Sequence, residues 1–345
     1  MLSGKLSPAF ERNNVPVVIA ATNLYAPYAG VFIRSLLDHA SAENNYDIIV
    51  FEREISKENK RLLKGLAAGH TNVSIRFYDP SPFFASRNFI YDDDKRYPIE
   101  VYYKIAAPHI LNYPGRIITV DADTLLLTDI ARLMDEDLEG CSVGAVVDLA
   151  MYGMYLCDHT WFSENMKARD YVKNVLGWKE DDLKGYVNTG LLTFDCGKYV
   201  RELNIEAMIN TARQGRYAFP DQDTLNVLMK GKIRLLDFAW NIYVQSNPRV
   251  MKCLDAASKK FGGDYERAYE APHLLHLAAP PKPWVCPDVP YGGEWWQTAL
   301  RTPFVGHIIA RMMDEQEKRR AYYRERYGKE NVDIWDPSPK GIDRV

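Results

Sequence analysis

Long apolar runs are missing from this sequence. None approaches the ~20 residues that cross a bilayer, so a membrane span is not expected. The first residues, MLSGKLSPAF, hold no basic segment followed by an apolar stretch, which argues against a secretory signal. An excess of one charge is missing too. The 43 Lys and Arg against 46 Asp and Glu leave a net charge of −3, so nucleic acid is not expected as a partner. Cysteine is scarce: Cys141, Cys157, Cys196, Cys253 and Cys286 are odd in number, scattered, and never at C-x-x-C spacing. That pattern suits reduced thiols in a cytoplasm better than a disulfide framework or a zinc site. The sequence also has no internal repeats, low-complexity segments or long linkers.

What is present is an ordinary folded composition, 47% hydrophobic, 26% charged and 12% aromatic, in 345 residues. Such a chain can bury a large core as one α/β domain, or as one domain with an appendage. Residues 15–21 (VPVVIAA) form a short apolar run rich in β-branched residues, the form a buried parallel strand takes. Residues 46–51, 73–77 and 116–120 read as further strands, and 28–37, 57–66 and 99–111 as the helices between them. This alternation predicts a doubly wound, mostly parallel sheet. Later, 142–147 and 190–194 read as strands, and 198–214 and 221–229 as helices.

In such sheets ligands gather beyond the carboxyl ends of the strands. Asp121-Ala122-Asp123 stands there, directly after the fourth strand. Two carboxylates at i and i+2 can reach one hard divalent cation, Mn²⁺ or Mg²⁺, and such a cation bridges diphosphate oxygens. Alone the triplet is a weak signal, equally at home in a solvated turn before the helix near Ile130. Haloacid dehalogenase-type phosphohydrolases also place Asp-x-Asp after a strand, but with Thr or Val four residues after the first Asp, where this chain has Leu125. Far downstream, His276 precedes Lys282 by six residues in a loop stiffened by Pro280, Pro281 and Pro283. The imidazole suits Mn²⁺, and the ammonium can reach a phosphate oxygen.

Asp-x-Asp after a strand followed by His-x₅-Lys-Pro-Trp resembles the retaining glycosyltransferases of family 8, over roughly Val15 to Trp284. The resemblance implies a single GT-A fold, that is, a Rossmann-like nucleotide-sugar-binding α/β domain over 1–300, with a charged, mainly helical extension over 301–345. It implies Asp121, Asp123 and His276 as metal ligands, with Ala20, Thr22, Tyr25, Lys104, Ala122, Ala279 and Lys282 also at the nucleotide-sugar. Asn188, in Asn188-Thr189-Gly190, is expected to face the transferred sugar, Asp148 to contact donor or acceptor sugar, Asp221, in Asp221-Gln222-Asp223, to bind sugar hydroxyls, and Gln222 to lie under the anomeric carbon. Trp240-Asn241 resembles the family's aromatic-Asn segment before the histidine. The chain departs from the family pattern at Thr22 and Leu24, where the family often has Asp and Asn at the uracil, and at Ala279, where it usually has Gly.

The function so implied is metal-dependent, retaining transfer of a hexose from a UDP-sugar to a glycan, glycolipid or protein. A silent sugar-nucleotide- or glycan-binding protein on the same fold is the alternative. Self-glycosylation on one of the 22 tyrosines stays open. Tyr91, Tyr152, Tyr155, Trp161 and Phe162 are candidates for an acceptor cleft. The segment with Lys318, Arg319, Arg320, Tyr322, Tyr323, Arg324, Arg326 and Tyr327 offers a cytoplasmic enzyme peripheral contact with the inner membrane face, although its interspersed glutamates equally suit a solvated helix.

Overall fold

The computed structural model describes residues 6–89, 98–160, 166–214 and 217–327. The first half alternates as expected. β1 (Asn14–Ala20), α1 (Ala26–His39), β2 (Asn45–Phe51), α2 (Lys57–Gly65) and β3 (Val73–Tyr78) come first, then the short α3 (Ser81–Ala85), α4 (Glu100–Leu111) and β4 (Arg116–Asp121). Several boundaries have a local cause. Pro27 opens α1 where a missing N–H costs nothing, and the Ser56 side chain caps α2 by accepting from the Asn59 N–H. Asn112 takes the left-handed conformation, φ 44°, that closes α4.

Past β4 come β5 (Thr124–Leu126), β6 (Val143–Val147), α5 (Leu149–Leu156), α6 (Ala168–Asp170), which runs into a π-helical turn Tyr171–Val175, and β7 (Val187–Asp195). The helix read over 198–214 is two helices, α7 (Cys196–Glu202) and α8 (Ile205–Arg213). Asn204 breaks it: extended, it turns its side chain to accept from the Glu206 and Ala207 N–H groups. The chain continues through α9 (Pro220–Leu228), β8 (Ile233–Leu235), β9 (Ile242–Tyr243), α10 (Pro248–Ser258), α11 (Asp264–Glu270) and β10 (Leu274–His276), and the last described elements are α12 (Gly292–Ala299) and α13 (Val305–Tyr327).

The main sheet has the order β3-β2-β1-β4-β7-β6-β8. β1 to β4 are mutually parallel, and β6 and β8 are parallel, but β7 runs against both its neighbours. That reversal matters for the site. The start of β7, with Asn188, lies at the same edge as the carboxyl ends of β4 and β6, because an antiparallel strand begins where its neighbours finish. The register between β6 and β7 jumps from Ala145–Leu192 to Val146–Asn188, so Thr189, Gly190 and Leu191 bulge out of the β6 ladder.

A second, three-stranded sheet, β5-β10-β9, was not legible in the sequence. Its strands are two or three residues long, too short to show a period. It pairs His276 with Thr124, and the Leu277 N–H donates to the Asp123 carbonyl at 2.9 Å.

Apolar side chains form a cluster on each face of the main sheet. Phe304 and Ile308 carry the start of α13 into the first cluster. Gly30 on α1 admits Phe304, since a Cβ there would stand 2.5 Å from the ring. Among the described residues no helix is long and apolar enough to cross a membrane. Tyr91, Trp161 and Phe162, and the side chains of Tyr322, Tyr323, Arg326 and Tyr327, lie outside the described residues.

Candidate active site

Asp121 is the last residue of β4, paired with Ala20 at the end of β1. The Thr124 hydroxyl donates to the Asp121 carbonyl at 2.7 Å and closes the turn that carries Ala122 and Asp123. Both acids face the sheet edge and neither caps a helix; Asp129 caps the turn at Ile130. The two-stranded register of β5 with β10 then lays His276 against them. His276 Nε2 is 3.6 Å from Asp121 Oδ2 and 3.5 Å from Asp123 Oδ1.

The other oxygen of each carboxylate belongs to a lysine. Lys104 Nζ is 2.6 Å from Asp121 Oδ1 and 3.1 Å from Asp221 Oδ2, while Lys282 Nζ is 2.7 Å from Asp123 Oδ2 and also donates to the Leu277 carbonyl. Lys282 and Asp123 are 159 residues apart in sequence. Burial raises the Asp121 carboxyl, and Lys104 only partly offsets it. Burial acts the same way on Asp123, but Lys282 and His276 outweigh it and hold that carboxyl well below the ordinary range. Burial alone would lower Lys104, yet Asp121 and Asp221 keep it firmly protonated.

The three inward ligand atoms of Asp121, Asp123 and His276 lie within 4.8 Å of one another. Two carboxylate oxygens with one imidazole nitrogen form a set of hard and borderline donors suited to Mn²⁺ or Mg²⁺. The imidazole is prepared for the role. Its Nδ1 is 3.0 Å from Asn241 Oδ1, and Asn241 Nδ2 in turn donates to Asn188 Oδ1 at 2.9 Å, which fixes the amide. Nδ1 therefore carries a proton toward Asn241, and Nε2 is the ring nitrogen left to offer its lone pair to a cation when one is bound. Gly190 makes room for the ring: a Cβ there would meet His276 Cε1 at 2.2 Å. The residues present fit a divalent cation.

From Asn188 the network continues. Asn188 Nδ2 donates to Asp148 Oδ2 at 3.0 Å, and Gln222 Nε2 donates to the same oxygen at 2.8 Å. Asp148 also caps α5, its Oδ1 accepting from the Met151 N–H at 2.8 Å. Asp221, at the start of α9, accepts from the Thr189 hydroxyl at 2.8 Å. Behind Gln222, Asp223 is fully buried and accepts from Tyr171 Oη at 2.6 Å, Tyr186 Oη at 2.5 Å and the Phe219 N–H at 2.9 Å. Burial nonetheless pushes its carboxyl up to about 7.

Thr22 and Tyr25 occupy the loop between β1 and α1, where the Thr22 carbonyl accepts from the Tyr25 and Ala26 N–H groups. Tyr25 meets Tyr28 edge-on, and Tyr28 stacks on Trp284 at 4.0 Å, tying this loop to the one bearing Lys282. Leu24 is half exposed, and Ala279 is buried just past β10. The nominated residues thus gather at one edge of the sheet. Of the acceptor candidates that are described, Tyr152 is 1% exposed and belongs to the core, whereas Tyr155 is half-buried. Tyr186 and Tyr171 were not singled out by sequence, Asp223 was visible only as the last residue of an Asp-Gln-Asp block with no role of its own, and Asn241 gained a role only through its contact with His276.

A mostly parallel α/β sheet with a two-acid, one-histidine cluster at its carboxyl edge is the GT-A arrangement of glycosyltransferases. Residues 16–286 match the family described as Glycosyl transferase family 8, and the chain belongs to that family. Relatives include General stress protein A of Bacillus subtilis, 24% identical over 78% of this chain and 86% of that protein. Another is the lipopolysaccharide 1,2-glucosyltransferase of Escherichia coli, 26% identical over 55% of this chain and 52% of that protein. Among solved structures, the bifunctional glycosyltransferase WbbM superposes with a TM-score of 0.74 at 26% identity, over 90% of this chain and 53% of that one. The galactosyltransferase LgtC, solved with donor and acceptor sugar analogues, gives 0.63 at 20% identity over 84% of this chain and 96% of that one, a likeness of fold.

Proposed function

We propose that this chain is a metal-dependent, retaining hexosyltransferase that moves glucose or galactose from a UDP-sugar to a glycan, lipid-linked or protein acceptor. The observation that carries the reading is the convergence of Asp121, Asp123 and His276 next to the Asp148–Asn188–Gln222 network. When bound, Mn²⁺ or Mg²⁺ neutralises charge on the diphosphate leaving group. Lys282 takes a phosphate oxygen beside it. Lys104, which is more deeply buried and bonded to both Asp121 and Asp221, orients those two carboxylates. Tyr25 stacks on the base, and the Thr22 hydroxyl stands where a uracil N–H needs an acceptor. Ala20, Ala122 and Ala279 present small surfaces to the nucleotide and phosphates. Residues 1–300 form the catalytic domain in this reading, with 301–345 as its extension.

Asp148 and Asp221 accept from hydroxyls of the transferred sugar, and Asn188 and Gln222 lie beside its reacting carbon. The bond from the anomeric carbon to the β-phosphate oxygen breaks, and its electron pair leaves with UDP. The acceptor oxygen bonds that carbon from the same face and passes its proton to the phosphate oxygen just released. The Gln222 carboxamide stabilises the positive charge on the sugar between these events.

The test is nucleotide release from a panel of UDP- and GDP-sugars with Mn²⁺ and no added acceptor. Slow hydrolysis of one UDP-sugar, lost on chelation and in Asp123→Ala, is expected. Mn²⁺-dependent UDP binding with no release from any donor would favour a silent binder, and no UDP binding at all would refute the reading.

A further inference from the structure

Asp223 follows Gln222 on the first turn of α9 and is fully buried. A carboxylate placed there is costly unless its lone pairs are filled. Three donors fill them, from three segments: Tyr171 in the π-helical turn, Tyr186 just before β7, and the Phe219 backbone. Tyr186 has a single O–H, and it goes to Asp223 Oδ1 at 2.5 Å. The phenol oxygen therefore turns its lone pairs outward, and 3.2 Å away stands Gln222 Nε2.

The Gln222 carboxamide is thereby committed at both ends. One N–H goes to Asp148 Oδ2 at 2.8 Å and the other to Tyr186 Oη, while Oε1 accepts from the Thr189 N–H at 3.3 Å. A glutamine amide turns about a broad, two-fold torsion and has no strong preference of its own. Flipped, it would set Oε1 against the Asp148 carboxylate and an N–H against the Thr189 N–H. When ionised, Asp223 behind Tyr186 makes the phenol oxygen a better acceptor, as donor chains polarise one another.

Resting on the transferase reading, we propose that Tyr186 is a positioning residue that locks the Gln222 carboxamide in one orientation, with Asp223 and Tyr171 as the anchor behind it. The phenol touches no reacting atom. Its influence on turnover passes through Gln222, because the orientation of that amide decides whether its carbonyl or its amino group meets the sugar.

The experiment is a double-mutant cycle on donor turnover and UDP affinity. Tyr186→Phe keeps the ring and removes the oxygen; kcat is expected to fall about tenfold, one hydrogen bond's worth, with donor KM and UDP affinity unchanged. In a Gln222→Ala background the same change is expected to lower kcat no further. An unaltered kcat in Tyr186→Phe, or the full fall repeated in the Gln222→Ala background, would overturn the inference. Should Tyr186→Phe fail to fold, Tyr171→Phe loosens the same anchor from behind, with a fall of about threefold expected to vanish in the Gln222→Ala background. A fall that persists there would overturn it equally. If the unaltered chain releases nucleotide from no donor, the transferase reading fails and takes this inference with it, whereas an active parent without coupling removes the inference alone.

Discussion

At one end of the site each acid of Asp121-Ala122-Asp123 has an ammonium partner, whereas at the other end Asp148 is held by two side-chain amides and a backbone N–H. An ammonium is a compact charge on a flexible stem, and it tolerates rearrangement when a cation and a diphosphate arrive. Amides have fixed donors and acceptors, so a network of them specifies direction. The first region is built to hold charge, the second to hold orientation. Asn241 joins the two, with His276 on one side and Asn188 on the other.

That contrast is breakable by measurement. The largest effect is expected from Asp123→Ala, which removes one of the two carboxylates at the charge end. Donor turnover should fall about 10³-fold or more, and Mn²⁺-dependent UDP binding should disappear. Retained metal-dependent binding would move the cation elsewhere. Next comes Gln222→Ala at the orientation end, with kcat lower by about 10²-fold and UDP affinity unchanged. A loss of UDP affinity in this variant would erase the distinction between the ends.

Asn241→Leu probes the link. It leaves the Nδ1 proton of His276 without its acceptor, so Mn²⁺ affinity measured calorimetrically should weaken about 10- to 100-fold. Unchanged affinity would show that the strand pairing of β10 alone aims the ring. The smallest effect concerns stability against pH. Burial holds the Asp223 carboxyl at about 7, above its ordinary value of about 4, so the folded chain binds that proton more tightly than the unfolded one. Its contribution to stability is then full below about pH 4, declines as pH rises and levels off above about 7. Asp223→Asn should flatten this decline by a few degrees in thermal midpoint between pH 4 and 7, and an identical slope in both proteins would remove Asp223 as its source.

The legible parts of the chain share a physical trait. β1, β2 and β4 are buried on both faces and at least six residues long, so each appears as an apolar run that local composition alone reveals. Asp121, Asp123, His276 and Lys282 were visible because several chemistry-bearing types at short fixed spacings seldom coincide. The illegible parts depend on partners distant in sequence. β5 and β10 have three residues each and β9 two, and none shows a period, yet the pairing of β10 with β5 brings His276 to Asp123. Asn204, which divides α7 from α8, was hidden in a stretch whose apolar spacing runs on through both helices.

By itself the sequence determined the alternation of strands and helices, the carboxylates at the end of the fourth strand, and the order of the family's motifs. It could do so because hydrophobic periodicity and short spacings are local. Tertiary structure decided that β7 runs backward, which brings Asn188 to the carboxyl edge, and that Gly190 gives the His276 ring its place. It also decided that Tyr171 and Tyr186 converge on Asp223 behind Gln222. Hydrogen bonds between side chains 37 and 52 residues apart, or 159 in the case of Lys282 and Asp123, leave no trace in local spacing, because the fold alone sets those distances.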